Sequence, residues 1–228
     1  MRAAVLLDLD GTLFASEELA RLGFERTLDR LEREGWRPPG PRQAGLYRQL
    51  IGMTADELFK ALLPGSSPEL RRKAAKMLEE AEMELLKTEG SLFPGAIETL
   101  HGLRDSGHPL FIVSNGGEAY VETVVDRHGL RGLIDEVYCA GKHKTKEKAE
   151  LVGMVLRRKV ALAVMVGDRA SDIEAARKNG IPSVGCAYGF GRPDELEGAD
   201  EIISDISELE DAIRRIEGRR GGTDACRG

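Results

Sequence analysis

The 228-residue chain has 3 cysteines, Cys139, Cys186 and Cys226, odd in number, far apart and without a CxxC pair. A disulfide framework and a thiolate zinc site are therefore not indicated, and a reducing cytoplasm is the expected setting. The 4 histidines, His101, His108, His128 and His143, are scattered without metal-ligand spacing, so they are expected to be structural or surface residues. Positive charge is not in excess: the formal net charge is -6. That argues against nucleic acid as a partner, because such binders draw affinity from a basic face. Long apolar runs are missing too. The first, Ala3 to Leu7, is far too short for a signal-peptide core, and no stretch approaches a membrane span, so no membrane partner is expected.

What is present describes an ordinary globular protein, with 41% hydrophobic and 32% charged residues, of one or two domains. Short apolar runs recur at AAVLL (3 to 7), LFIV (110 to 113), VYCA (137 to 140), ALAVMV (161 to 166) and SVGCA (183 to 187). Helical patterns such as Val121, Val124, Val125 and Leu151, Val152, Val155, Leu156 lie between the later runs. This alternation predicts an α/β fold, a parallel Rossmann-like sheet covered by helices. The gap between the first two runs is too long for one crossover, which predicts an inserted all-helical domain at residues 16 to 90. Ser16 is placed to start its first helix, with Phe24, Leu28 and Leu31 on one face. Thr54 and Glu57 form an expected capping box, with Met53 and Leu58 as its staple. Ser67 caps a third helix that has Pro68 at its first position and Leu70, Ala74, Met77, Ala81 and Leu85 as its stripe. PPGP at 38 to 41 reads as a loop within the insert, and FPG at 93 to 95 as the return to the sheet. The α/β core is thus assigned to residues 1 to 15 and 91 to 217, and the Gly-rich end, 218 to 228, to a disordered tail.

Ligands of open α/β sheets sit at the carboxyl ends of strands. The residues there are Asp8, Asp10 and Thr12 after the first run, Ser114 and Asn115 after the second, and Gly167, Asp168 and Asp172 after ALAVMV. Several carboxylates at one sheet edge repel one another unless a cation joins them or one stays protonated. Oxygen-only ligands favour magnesium. Ser114 and Asn115, with Gly116 and Gly117 at a helix start, offer hydroxyl, amide and backbone donors to an anion such as phosphate. Carboxylates, magnesium and anion donors together point to phosphoryl transfer.

DLDGT after one strand, VSN after another, a lysine ahead of a helix and GDRASD after a third resemble, in order, the motifs of the haloacid dehalogenase-like (HAD) superfamily. LFPGAIETLHGLRDSGHPLFIVSNG and GIPSVGCAYGFGRPDEL are similar to passages of its phosphoglycolate phosphatase-like branch, whose helical cap occupies the place of the insert. The resemblance implies a magnesium-dependent phosphatase acting on a small phosphorylated metabolite. Asp8 is then the nucleophile that becomes aspartyl-phosphate, and Asp10 the acid and base that moves the proton. Asp8 and Asp168 would hold magnesium through carboxylates and Asp10 through its backbone carbonyl, with Asp172 a direct ligand or a partner of metal-bound water. Ser114 would bond the transferring phosphoryl group, together with Thr12, Asn115, Gly116 and the amides after Asp8. The active-site lysine is assigned to Lys148, with Lys144 and Lys146 as alternatives, because Lys148 stands closer to Asp168 in sequence than the family pattern has it.

The same motifs serve a phosphomutase of the beta-phosphoglucomutase type, a pyrophosphatase or a nucleotidase. A phosphonatase would need a cap lysine, for which Lys60 is available. A silent binding protein on the same fold is the remaining alternative. Asp10 argues against a true dehalogenase, which dispenses with the second acid. The expected state is a monomer or homodimer.

Overall fold

The structure, a computed structural model, describes residues 2–36, 53, 55–145, 147–158, 160 and 162–224. The capping-box Thr54, the loop at 38 to 41 and Lys146 lie outside the described residues. Among the described residues no helix is long and apolar enough to cross a membrane.

Six parallel strands make the central sheet: β1 (Ala4–Leu7), β4 (Leu110–Ser114), β5 (Glu136–Cys139), β6 (Ala163–Gly167), β7 (Ser183–Cys186) and β8 (Glu201–Ile203), in the order β5-β4-β1-β6-β7-β8. β1 is central because all four of its residues are apolar and buried, which suits a strand covered on both faces. It pairs Leu7 with Ile112 on one side and with Val166 on the other. The chain builds outward from β1 through β4 and β5, then returns to build β6, β7 and β8 on the opposite side. That reversal opens a crevice at the carboxyl ends of the central strands.

Side chains alternate across the strands and sort the helices into two layers. Val5 and Leu7 face α4 (Ala96–Asp105), α5 (Glu118–Arg127) and α9 (Leu209–Asp224), packing with Leu100, Val124 and Ile213. Ala4 and Leu6 face α7 (Lys148–Leu156) and α8 (Ala170–Asn179), packing with Leu151, Val155 and Ala176. A one-turn helix, α6 (Ala140–His143), links β5 to this second layer.

Three helices stand apart from these layers: α1 (Glu17–Arg33), α2 (Ala55–Leu62) and α3 (Pro68–Leu85). They bury Phe24, Leu28, Leu31, Phe59, Leu62, Met77 and Leu78 in a core of their own. Ser67 caps α3 as expected, its hydroxyl accepting the Leu70 amide at 3.2 Å with Pro68 next in the chain. The α3 stripe divides its loyalty: Ala74 and Met77 join the helical core, whereas Leu85 packs into the sheet core. The chain enters and leaves this unit along two short strands, β2 (Phe14–Ala15) and β3 (Ser91–Leu92), paired antiparallel.

Two expectations differ from the structure. The last helix, α9, runs on to Asp224 and so overlaps the stretch expected to be a disordered tail. Arg215 and Arg219 on that helix both pair with Glu201 of β8, tying the helix to the sheet edge. Ser16 stands at the N-cap of α1, but its side chain makes no cap bond; it is buried and turned elsewhere.

Candidate active site

Asp8 follows β1 directly, with its backbone amide still bonded to the Val166 carbonyl of β6 at 2.9 Å. The chain then turns back within a few residues: Gly11 donates to the Phe14 carbonyl at 2.9 Å, and Phe14 to the Leu9 carbonyl at 2.8 Å. Gly11 has φ of +79°, and a Cβ there would sit 2.3 Å from Asp168 Oδ2. Only glycine meets both demands, the left-handed backbone and the missing side chain. The turn thus lets Asp168, at the end of β6, close against the loop after β1.

Lys148 is the first residue of α7, and its buried ammonium lies 2.9 Å from Asp8 Oδ1 and 2.5 Å from Asp172 Oδ1. Lys144 is exposed, in a left-handed conformation at the end of α6. Asp172 is fully buried, and its second oxygen accepts the Arg169 amide at 3.0 Å, so it caps α8 while holding Lys148. Gly167 makes room for it, since a Cβ there would lie 2.1 Å from Asp172 Cγ. Burial works against the charged ammonium of Lys148, but Asp172 and Asp8 outweigh it and hold the lysine protonated beyond its ordinary range. Burial raises the Asp8 carboxyl well above the usual carboxylate range, with Lys148 opposing and Asp172 and Asp168 adding to the rise.

Asp168 completes the cluster. Its Oδ2 accepts the Phe190 amide at 2.7 Å and the Gly191 amide at 3.3 Å, while its Oδ1 is buried and has no hydrogen-bond partner. Burial pushes its carboxyl up to about 7, Asp172 adds to this, and the Phe190 amide opposes it. Asp8, Asp168 and Asp172 can each offer a carboxylate oxygen within 4.8 Å of the others. When ionised, they carry three negative charges against the single positive charge of Lys148. Neighbouring carboxylates at that spacing repel by about 3–4 kcal/mol per pair at an effective dielectric of about 20. An orphaned carboxylate oxygen and a surplus of negative charge fit a divalent cation with oxygen ligands, as magnesium prefers.

Asp10 lies two residues along, and its Oδ1 accepts the Tyr120 hydroxyl at 2.6 Å. The Ser16 hydroxyl also bonds to this carboxyl, which accounts for its departure from the cap. Burial raises the Asp10 carboxyl, and the two hydroxyl bonds hold the rise back. Glu82 of α3 reaches the same corner; burial, then Asp10 and Glu79, push its carboxyl up to about 8.

On the neighbouring strand Ser114 is buried at the end of β4, its Oγ accepting the Gly116 amide at 3.0 Å. Asn115 follows, and Gly117 caps α5, so the amides at the start of that helix open toward the same crevice end of the sheet. Thr12 is buried within the turn: its carbonyl accepts the Tyr188 hydroxyl at 2.9 Å and its hydroxyl lies against the Cys186 thiol. Those contacts brace the loop.

The sequence reading missed Tyr120, Phe190 and Gly191. Tyr120 reads as one more apolar position of an amphipathic helix, and amide donors carry no side-chain signal. The passage holding Phe190 and Gly191, GIPSVGCAYGFGRPDEL, was visible only as a resemblance.

A family-level sequence profile for haloacid dehalogenase-like hydrolases matches residues 5–186. A phosphoglycolate phosphatase from Pseudomonas putida is 27% identical over 219 residues, spanning 90% of this chain and 77% of that protein. A phosphoglycolate phosphatase from Vibrio cholerae is 27% identical over 222 residues, spanning 92% of this chain and 96% of that protein. The fold of a haloacid dehalogenase-like family hydrolase from Streptococcus pneumoniae matches with a TM-score of 0.77 at 23% identity, covering 92% of this chain and 97% of that one. The chain belongs to the haloacid dehalogenase-like hydrolase family.

Proposed function

We propose that this phosphatase is magnesium-dependent and hydrolyses the phosphoester of a small metabolite through an aspartyl-phosphate on Asp8, with phosphoglycolate the first substrate to try. The observation that carries this reading is the triad of Asp8, Asp168 and Asp172 around Lys148, with Asp168 Oδ1 unpartnered.

An Asp8 oxygen attacks phosphorus, and the bond from phosphorus to the leaving oxygen breaks as Asp10 gives that oxygen its proton. A water then attacks the acyl phosphate and Asp10 takes its proton, which returns both aspartates to their starting states. Burial favours a protonated Asp10 before the first step, as an acid working near neutral pH requires. Lys148 keeps one Asp8 oxygen in place and offsets charge on the phosphoryl group. Ser114 and the amides at the start of α5 bind the phosphoryl oxygens. Magnesium, held by the carboxylates of Asp8 and Asp168 and the Asp10 carbonyl with Asp172 beside them, would neutralise charge on the transferring group. Residues 16 to 90 form a cap over the crevice in this reading, supported by their separate core and the paired entry and exit strands.

A panel of phosphorylated metabolites tests the proposal. Phosphate release is expected with magnesium present and is lost in EDTA or on Asp8→Asn. No release from any member of the panel in magnesium refutes it.

A further inference from the structure

Tyr120 is the third residue of α5, the helix that starts directly after Ser114, Asn115, Gly116 and Gly117. Its ring is buried in the sheet core beside Val121 and Val124. A Cβ on Gly116 would touch the ring at Cδ1, 3.4 Å away, so the phenol lies beneath the turn that presents donors to phosphate. From there its hydroxyl reaches across to Asp10 Oδ1 at 2.6 Å. That distance is at the short end of the ordinary O–H···O range. Packing locks the ring, so the bond holds Asp10 to a fixed point on another element rather than to a mobile side chain.

We propose that Tyr120 is a positioning residue for the proton transfer: it occupies Asp10 Oδ1 and so turns Oδ2 to the leaving oxygen. The inference rests on the reading of Asp10 as the group that moves the proton. Tyr120 takes no proton itself. The proton on Asp10 Oδ2 passes to the leaving oxygen as that oxygen's bond to phosphorus breaks and the bond from Asp8 forms. Without the phenol, Asp10 is tethered by the Ser16 hydroxyl and no longer by the locked ring, so it gains rotamers in which Oδ2 points away, and only a fraction of encounters meet a placed acid. The cost then falls on substrates that need the acid. An alkyl phosphate, whose alkoxide leaves poorly, depends on it; p-nitrophenyl phosphate, whose anion leaves unaided, does not.

The experiment is kcat/KM for Tyr120→Phe, which keeps the ring and removes one oxygen, on an alkyl phosphate and on p-nitrophenyl phosphate. This ratio reports steps up to transfer onto Asp8, so the later hydrolysis does not obscure it. A placed general acid contributes about 10²–10⁴-fold, so an expected loss of about tenfold or more on the alkyl ester, against less than about threefold on the aryl ester, supports the proposal. An equal loss on both esters, or no loss on either, overturns it. A second measurement is a double-mutant cycle on phenyl phosphate with Asp10→Asn: adding Tyr120→Phe should cost nothing further if the phenol acts through Asp10. Additive losses refute that route. The two readings fail separately. Asp10→Asn with parental turnover of the alkyl ester removes the role of Asp10, whereas an inactive Asp10→Asn beside a Tyr120→Phe of unchanged leaving-group preference removes only that of Tyr120.

Discussion

Replacing Lys148 with methionine keeps the length of the side chain and removes the positive charge shared by two acids. The Lys148 side chain is 2% exposed, that of Asp8 6% and that of Asp172 0%, so water cannot take over as partner. Removing one member of a buried ion pair costs about 3–5 kcal/mol, because the remaining charge is left uncompensated. Here two carboxylates lose their partner, and Asp168 adds a third negative group within 4.8 Å. Asp8 can limit the damage by staying protonated, since burial already raises its carboxyl, so the lower half of the range is expected at neutral pH. For a chain of this size each kcal/mol shifts the melting temperature by about 2–4 °C, which gives a loss of about 6–16 °C. The assay is thermal and urea unfolding of Lys148→Met and parent in EDTA at pH 7.5. The deficit should shrink as pH falls: burial already holds the folded Asp8 carboxyl above its unfolded value, and its protonation relieves the stranded charge. Magnesium should recover part of it by binding the same oxygens in the folded state. A Lys148→Met protein within about 1 kcal/mol of the parent in EDTA at pH 7.5 would refute the account of this ion pair as structural.

Two further outcomes test the surroundings. Glu82, with its carboxyl raised to about 8 from an unfolded value near 4.3, binds an extra proton in the folded state between those limits. Stability contributed this way is complete below the unfolded value and is lost as pH rises through the folded one. Glu82→Gln should therefore match the parent at about pH 4 and exceed it by about 2–4 kcal/mol near pH 9, the full linkage being trimmed because the side chain is half-buried; parallel stability curves across that range would count against it. Gly11→Ala would force a Cβ to within 2.3 Å of Asp168 Oδ2 at a φ of +79°. It should weaken magnesium binding, read by calorimetry, by about tenfold or more, since about 1.4 kcal/mol of misplacement suffices; unchanged affinity would show that the turn is not a constraint on Asp168.

The parts of the site that were legible in sequence are those whose chemistry is local to a strand end. The four apolar residues of β1 had to be buried, so Asp8 beyond them had to stand at the sheet edge. The same logic brought Ser114 and Asp168 to that edge from β4 and β6. Lys148 was harder, one of several lysines in GKHKTKEK, and what distinguishes it in the structure is burial between Asp8 and Asp172. β8 was not anticipated, because its three residues at the sheet edge, one of them the exposed Ile202, carry no apolar run.

Ser16 shows the limit most directly. A serine ahead of an acidic helical turn reads as a cap, and local geometry did put it at that position, yet its hydroxyl serves Asp10 instead. Asp172, expected as a magnesium ligand or a partner of metal-bound water, is buried and holds Lys148, a contact the sequence did not suggest. By itself the sequence determined the α/β alternation, the helical insert and which strand ends carry acids, because periodicity and burial act over a few residues. Only the tertiary structure decided which lysine meets Asp8, that Phe190 and Gly191 bind one oxygen of Asp168 and leave the other open, and that Tyr120 holds Asp10. Those contacts join residues 22 to 140 positions apart, and directional bonds at such separations follow from how whole layers pack rather than from any pattern along the chain.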